Sequence, residues 1–319
     1  MGNKIVFLDA STVDYGDIDF SPIEKLGDFT AHDLTAPKDV PARCKNASVV
    51  ITNKVVFDRA MIGLCPSVKC IAAAATGYNV IDVEFAASRG IPVSNVPGYS
   101  TSSVAQLTVT FILALASNLM KYNDASLNGA WSASPIFTMG TWPFAEVRGK
   151  TLGILGCGAI GSEVARLGQA FGMNAVALAR EGERYGNGIE RLSLAEIAAC
   201  SDFVCVHMPL TDYSRGLIDS RFLGMMKPTA FLINMARGPI VDQAALKSAL
   251  ENGVIAGAAL DVMAKEPPDR GEPLLAAPNL IVTPHIGWAS LESRRRLVDE
   301  IAGNIAAFLR GERRNVVNG

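Results

Sequence analysis

The chain has 319 residues, of which 49% are hydrophobic and 19% charged, with a net charge of −2 and a pI near 6.0. A chain of this length is longer than a single hydrophobic core usually organises, which predicts two domains. The nearly balanced charge excludes the basic surface typical of proteins that bind nucleic acid or an acidic membrane, and indicates a small-molecule partner.

Six cysteines are scattered through apolar segments, without the short spacings of metal ligands or redox motifs. We therefore expect reduced, buried thiols and no metal site. The amino-terminal apolar run is too short for a signal peptide, and the low-charge stretch from Val104 to Met120 contains polar residues such as Gln106 and Asn118. These features predict a cytoplasmic protein without a membrane span.

The first hundred residues have the pattern of a small α/β unit. Short apolar runs typical of parallel strands occur at Ile5–Leu8, Val49–Thr52, Lys69–Ala75 and Ile91–Ser94. A turn-rich segment containing Thr76 and Gly77 follows the third run and precedes a helix that starts near Ile81. Open α/β sheets bind ligands at the carboxyl ends of strands, so this turn is either a binding loop or an ordinary connection.

The segment Val96–Ser102 contains proline and glycine followed by serine and threonine, and predicts a domain crossing and a helix N-cap. The helix after it, roughly Ser103–Tyr122, is apolar nearly all round. It must be covered on more than one face, between domains or between subunits. The irregular, aromatic stretch Asn128–Phe144 predicts a dimer arm or a simple surface excursion.

The stretch from Lys150 to Arg180 has the pattern of a strand, a tight turn, a helix and a second strand, with glycines at 156, 158 and 161. The first glycine permits the turn, the second lets backbone N–H groups approach a pyrophosphate, and the third lets the helix pack closely on the strand. G-x-G-x-x-G alone often marks only a turn. The flanking strands here predict a dinucleotide site with its phosphates at the helix N-terminus.

Strand-like and helical segments alternate after this turn. The apolar runs are Ala175–Ala179, Phe203–Val206, Ala230–Asn234, Gly257–Asp261 and Leu280–Thr283, and the helical segments are Leu194–Cys200, Ile218–Met226 and Asp242–Glu251. Counted with the strand before the turn, six strands predict a doubly wound, parallel Rossmann domain from 99 to 286. We expect this larger domain to be inserted in a smaller flavodoxin-like substrate domain, 1–98 plus 287–319, to which the last helix, Leu291–Arg310, returns.

Three residues lie at or just past the ends of the later strands: Arg237, Glu266 and His285. A guanidinium offers a planar fork to a carboxylate or carbonyl, and a histidine can exchange the proton that accompanies hydride transfer. A carboxylate beside the histidine stabilises the imidazolium. Each residue has an ordinary alternative, as a surface arginine, a solvated acid or a core histidine, but their shared position predicts a catalytic group. His207 also ends a strand and is expected near the cofactor without a role in proton transfer.

Eight short motifs occur in a specific order, at residues 74–82, 97–105, 149–161, 226–228, 233–238, 258–262, 266–268 and 283–288. Through them the chain resembles the D-isomer-specific 2-hydroxyacid dehydrogenases over nearly its whole length. Within that family it looks most like the glycerate dehydrogenase and hydroxypyruvate reductase branch.

The resemblance implies a homodimeric, NAD(P)-dependent reductase of a small 2-oxo acid, of hydroxypyruvate or glyoxylate type, that also oxidises the D-2-hydroxy acid. It implies that Arg237 binds the substrate's carboxylate and carbonyl, that His285 is the acid/base and that Glu266 partners it. The backbone of Thr76 and Gly77 is expected to meet the substrate carboxylate. Positions that match the lining of the cofactor or the nicotinamide end of the cleft are Thr101, Ala159, Ile160, Pro209, Ala236, Asp261 and Trp288.

Two positions depart from the family pattern. Many relatives have glutamate where this chain has Gln106. Where NAD-binding relatives carry an acid at the second strand's end, the chain reads Leu178-Ala179-Arg180. Arg180 can pair with a 2′-phosphate, which slightly favours NADP(H) over NAD(H), or it can cover the adenine.

Two other functions compete with this interpretation. Co-repressor scaffolds that sense NAD(P) are similar in sequence to these enzymes, but the chain shows no long disordered arm for recruiting partners. No residue supports a relative that acts on phosphite or formate.

Overall fold

The computed structural model describes residues 3–179, 185–186 and 188–319. The chain forms two compact units: a smaller one, Met1–Ser100 with Trp288–Gly319, and a larger one, Thr101–Gly287. Both combine a parallel sheet with helices, which confirms the predicted α/β class.

The smaller unit has a five-stranded, all-parallel sheet in the order β2-β1-β3-β4-β5. The strands are β1 (Lys4–Phe7), β2 (Asp28–Ala31), β3 (Val49–Thr52), β4 (Cys70–Ala73) and β5 (Val93–Ser94). The order reverses direction between β1 and β3, so the topological switch point lies at their carboxyl ends. This is the flavodoxin-like order expected from the sequence.

The helices of the smaller unit are α1 (Ser21–Glu24), α2 (Val40–Arg43), α3 (Arg59–Leu64), α4 (Val83–Ser88) and the carboxyl-terminal α11 (Leu291–Leu309). Leu297, Ile301 and Ile305 of α11 are fully buried in the core of this unit. The last helix therefore packs into the core of the smaller unit. The edge strand β2 was not predicted, because it is mostly exposed and has no continuous apolar run.

The larger unit has an eight-stranded sheet in the order β13-β12-β11-β10-β6-β7-β9-β8. The strands are β6 (Thr151–Leu155), β7 (Asn174–Leu178), β8 (Tyr185–Gly186), β9 (Ile189–Leu192), β10 (Phe203–Val206), β11 (Phe231–Asn234), β12 (Gly257–Leu260) and β13 (Leu280–Val282). All pairs are parallel except β8 with β9. The expected count of six strands is wrong: β9 adds a seventh parallel strand, missed because its polar residues interrupt the apolar pattern.

The helices of the larger unit are α5 (Thr101–Ser117), α6 (Leu119–Leu127), α7 (Ala159–Ala170), α8 (Leu194–Cys200), α9 (Ser220–Met225) and α10 (Gln243–Glu251). The single helix expected over 103–122 is wrong. The helix is interrupted at Asn118, whose left-handed backbone (φ 50°) cannot continue an α-helix. The two helices bend by 64° at this point.

None of the helices in the described part of the chain is by itself long and apolar enough to cross a bilayer. The bent pair α5 and α6 would be, by length and composition only.

Candidate active site

Three neighbouring strands of the larger unit lead to the three predicted catalytic residues. The strands β11, β12 and β13 are adjacent and parallel, and they precede Arg237, Glu266 and His285 respectively. Because carboxyl ends of parallel strands meet at one sheet edge, the fold gathers the loops that carry these side chains.

His285 and Glu266 form a direct pair, with Nδ1 of the ring 2.7 Å from Oε2 of the carboxylate. The other carboxylate oxygen accepts the Met263 amide hydrogen at 2.9 Å. An ionised carboxylate can only accept, so the proton of the pair lies on Nδ1 and Nε2 remains for a reacting group. The side chains are 31% and 36% exposed, which leaves the ring accessible to a ligand.

The backbone of His285 has a positive φ of 56° and lies in a turn that hydrogen bonds to Asp261 stabilise. The Asp261 carboxylate accepts hydrogen bonds from the Thr283 hydroxyl at 2.6 Å and from the amides of Ile286 and Gly287, each at 2.8 Å. Burial raises the pKa of Asp261, while these hydrogen bonds and the His285 charge act in the opposite direction. The sequence indicated a cofactor-lining role for Asp261, and its part in shaping the histidine turn was missed.

Arg237 is exposed, and its loop is braced by the fully buried Asn234. The Asn234 amide accepts the Ala236 N–H and donates to the Arg237 carbonyl, each at 3.0 Å. The guanidinium donates to the Ala236 carbonyl through Nη1 at 2.7 Å. A planar fork held in this way can offer its remaining donors to a carboxylate or carbonyl. Asn234 was not singled out in the sequence, although its place at the end of β11 is the signal for it.

The loop that carries Arg237 also packs closely on the loop that carries Glu266. A Cβ atom at Gly238 would lie 2.0 Å from the carbonyl carbon of Met263, the residue whose amide binds Glu266. Only glycine permits this approach. The positions of Arg237 and Glu266 are therefore coupled through the main chain.

The three glycines between β6 and α7 are under different constraints. Gly156 has φ 102°, and a Cβ there would lie 2.6 Å from the Met208 nitrogen. At Gly161 a Cβ would lie 2.2 Å from the Gly156 carbonyl oxygen, so helix and turn are in contact. Gly158 is the N-cap of α7, and a Cβ there would meet open space.

This loop fits the pyrophosphate of a dinucleotide. Gly158 leaves the amino end of a 12-residue helix uncovered by a side chain, and Ala159 beside it is exposed as well. Backbone N–H groups and the positive end of the helix dipole favour an anion there. Ile160, the next residue of α7, is half-buried.

His207 follows β10, the strand beside β6. Part of the residue is accessible, but both ring nitrogens are shielded from solvent and have no hydrogen-bond partner in the part of the chain that the structure describes. Burial lowers the pKa of His207 to about 4. The ring is therefore neutral near pH 7, in keeping with the absence of a proposed proton-transfer role.

The other predicted cofactor positions are distributed along the larger unit. Thr101 begins α5, and Pro209 and Ala236 follow β10 and β11. Arg180 lies outside the described residues. Among the described residues, no group of three or more histidine, cysteine, aspartate or glutamate side chains is placed to hold a metal ion.

The predicted substrate positions Thr76, Gly77 and Trp288 lie in the smaller unit. The Thr76 hydroxyl donates to the Val96 carbonyl at 2.8 Å, which fixes the turn after β4. The amides of Thr76 and Gly77 donate to no other group among the described residues, so they are available to an anion. Trp288 packs edge-on against Tyr99, with 6.3 Å between the ring centroids.

The family described as "D-isomer specific 2-hydroxyacid dehydrogenase, NAD binding domain" matches residues 109–287. The chain is 36% identical to a hydroxypyruvate reductase of Blautia hydrogenotrophica and to a glycerate dehydrogenase of Methylorubrum extorquens, and each match covers 99% of both chains.

A solved structure of an NADPH-dependent glyoxylate/hydroxypyruvate reductase from Sinorhizobium meliloti, in complex with NADP and malonate, superposes with a TM-score of 0.82. It is 29% identical, and the match covers 99% of this chain and 96% of that one. These full-length matches confirm the resemblance inferred from the motifs. The chain therefore belongs to the D-isomer specific 2-hydroxyacid dehydrogenase family.

Proposed function

We propose that the protein is an oxidoreductase that reduces a small 2-oxo acid, of hydroxypyruvate or glyoxylate type, to the D-2-hydroxy acid with NAD(P)H, and catalyses the reverse. The observation that carries the proposal is the His285–Glu266 pair, at the same sheet edge as Arg237. A proton donor and a carboxylate-binding fork are the two groups that this reaction requires of the protein.

In the reduction, the Arg237 guanidinium binds the carboxylate and polarises the carbonyl of the 2-oxo acid. The Thr76 and Gly77 amides also contact the carboxylate. Protonated His285 donates from Nε2 to the carbonyl oxygen while Glu266 stabilises the imidazolium. The nicotinamide, when bound, supplies the hydride. In the reverse direction His285 accepts the hydroxyl proton.

The turn at Gly156, Gly158 and Gly161 would hold the cofactor's pyrophosphate. We propose a slight preference for NADP(H), because Ala179 offers no acceptor to a ribose hydroxyl and Arg180 follows it. Arg180→Ala should weaken NADPH binding selectively, and Ala179→Asp should move the preference toward NADH. Equal losses for both cofactors in Arg180→Ala would instead assign Arg180 to the adenine.

A homodimer is also proposed, from the end of α6 and the segment that follows it. Leu127, Ile136, Phe137 and Phe144 are 80%, 62%, 89% and 76% exposed, more apolar surface in one segment than a monomer ordinarily leaves in water. A second copy of the chain would cover it. Light scattering of the wild type and of Phe137→Ser/Phe144→Ser tests this: a monomeric wild type contradicts it, and loss of the dimer in the variant supports it.

We assign the reaction to the cytoplasm. The six cysteines are free thiols, and four of them are buried. Unpaired cysteines are typical of proteins kept in a reducing compartment. Fractionation of the native host with compartment markers tests this assignment.

The experiment that tests the activity is a steady-state assay of the purified chain with hydroxypyruvate, glyoxylate and pyruvate, each with NADH and NADPH. Reduction of at least one acid to the D-product is expected. Binding of the cofactor without turnover of any acid would overturn the proposal and favour the scaffold alternative, which the names of the relatives do not support.

A further inference from the structure

The switch point of the smaller sheet is filled by a side chain of the protein itself. Asp9 follows β1 and is only 1% exposed, although it is an acid. Its carboxylate lies at the carboxyl end of β3, where Oδ1 accepts the Asn53 amide at 2.9 Å and Oδ2 accepts the amides of Lys54 and Val55 at 2.6 and 3.1 Å. Ligands of open α/β sheets bind at this position, and here a buried carboxylate organises it instead.

The loop that Asp9 holds is fixed on its other sides as well. The Thr52 hydroxyl donates to the Val55 carbonyl at 2.9 Å, and the Asn53 side chain donates to the Thr12 hydroxyl at 3.0 Å. The amides of residues 53–55 are engaged with Asp9, so this loop can offer a ligand hydrogen-bond donors only from its side chains. Lys54 is the exposed one that carries a charge, and it forms no ion pair with any residue that the structure describes.

Lys54 stands on the same sheet edge as the turn that carries Thr76 and Gly77. Strands β3 and β4 are adjacent and parallel, with Thr52 paired to Ala73 at their ends. Lys54 therefore follows the first of two neighbouring strand ends, and Thr76 the second. A carboxylate bound by the amides of residues 76 and 77 would leave the rest of a small acid next to the loop that carries Lys54.

We propose that Lys54 is a specificity-determining residue, whose ammonium donates a hydrogen bond to an oxygen substituent at C3 of the 2-oxo acid, with Asp9 as its positioning residue. The inference rests on the proposed function and deepens it, because a Lys54 contact to C3 would select 3-hydroxy-2-oxo acids such as hydroxypyruvate over acids without that hydroxyl group. A lysine on a mobile loop would lose side-chain and backbone entropy on contact, whereas this loop is already ordered.

Hydroxypyruvate and pyruvate isolate the contact, since they differ only in the C3 hydroxyl. Glyoxylate has no C3 and serves as a second reference. Hydrogen bonds to a charged group correspond to a roughly 10- to 100-fold change in affinity. Lys54→Met should therefore lower kcat/KM for hydroxypyruvate by roughly 10- to 100-fold, mainly through KM, and change the values for pyruvate and glyoxylate less than about threefold.

The matched control is Lys69→Met. Lys69 is exposed like Lys54 but precedes β4, so it lies at the opposite edge of the same sheet. It should leave all three values unchanged. Equal losses for the three acids in Lys54→Met, or no loss for hydroxypyruvate, would overturn the inference and leave the proposed reductase intact. A wild type that reduces none of the acids would overturn both.

Asp9→Asn tests the positioning role through selectivity. The amide keeps one acceptor and places an N–H group against backbone N–H donors, which displaces the loop. The ratio of kcat/KM for hydroxypyruvate to that for pyruvate should fall in the wild-type background and stay unchanged in the Lys54→Met background. If Asp9 had a purely structural role, Asp9→Asn would lower kcat/KM for both substrates by the same factor in both backgrounds. That result would contradict the positioning role. If Asp9→Asn does not fold, the Lys54→Met result alone decides the inference.

Discussion

Oδ2 of Asp261 accepts the amide hydrogen of Gly287 at 2.8 Å, two residues beyond the histidine that the reaction needs. A Cβ atom at Gly287 would lie 2.8 Å from the same oxygen, so glycine is required for this contact. His285 is consequently held in a left-handed conformation that its own preference does not favour. The direction of the imidazole is set by a buried carboxylate that need not touch the substrate.

Asp261→Asn should therefore impair catalysis as well as stability. The amide can accept fewer of the three hydrogen bonds, which is expected to cost about 1–3 kcal/mol of unfolding free energy and to lower kcat at least tenfold as the histidine turn relaxes. Urea unfolding and steady-state kinetics measure the two effects. The control is Asp202→Asn, which removes a carboxylate that binds the Thr151 amide and Lys227 at the other edge of the sheet. It should lower stability alone; an equal kcat in the two variants would contradict the role of Asp261.

His285→Ala should lower kcat by roughly 10²- to 10⁴-fold, the range for a lost general acid, with cofactor affinity nearly unchanged. Turnover is measured in steady state and cofactor affinity by fluorescence titration. His32→Ala is the control, because His32 lies in the smaller unit, directly after β2, and has no proposed part in the reaction. Unchanged turnover in the His285 variant would remove this residue from the mechanism.

Glu266→Gln keeps the shape of the partner and removes its charge. The protonated ring that donates in the reduction then loses a stabilising carboxylate at 2.7 Å. We expect kcat for the reduction to fall about tenfold or more, with cofactor affinity nearly unchanged. Steady-state kinetics and fluorescence titration of both proteins provide the measurements, and an unchanged kcat would count against the pairing.

The sequence was sufficient for the loops that carry chemistry, since Arg237, Glu266 and the three glycines follow strands with continuous apolar runs. Such runs identify buried parallel strands well. It was insufficient where a strand is exposed, as at β2, or polar, as at β9. The helix break at Asn118 was also missed, because the apolar pattern continues across it and only the sign of the backbone φ angle changes there.

The supporting contacts could not be read from the sequence for another reason. Asn234 and Asp261 act on main-chain atoms of other loops, over separations that only the fold defines. Asp9 is the same case in the smaller unit, where one acid after β1 determines the loop after β3. Residue type and strand-end position mark such residues as candidates, but their partners are backbone amides, which every residue except proline has.

Arg237→Lys tests geometry at constant charge. Lysine retains the positive charge but loses the planar fork that the Asn234 brace presents. We expect a loss of kcat/KM for 2-oxo acids of at least about tenfold, corresponding to about 1.4 kcal/mol or more of transition-state stabilisation, with the cofactor Kd little changed. Equal losses in cofactor affinity would mean that Arg237 serves the dinucleotide instead.

His207 should make the folded protein sensitive to acid. Its pKa is about 4 in the folded chain, because burial disfavours the charged ring, and about 6.5 in an unfolded chain. Between these values the unfolded chain binds more protons, so this contribution to stability is complete above about pH 6.5 and is lost as the pH falls toward 4.

Lowering the pH from about 8 to about 5 should remove about 2 kcal/mol of unfolding free energy through this one residue. The non-titrating variant His207→Asn should lose about that much less than the wild type over the same interval. Urea unfolding of both proteins at the two pH values gives the comparison, and other titrating groups such as Asp261 cancel because both proteins contain them. Equal losses in the two proteins would show that the His207 ring gains a proton as readily in the folded chain as in the unfolded one.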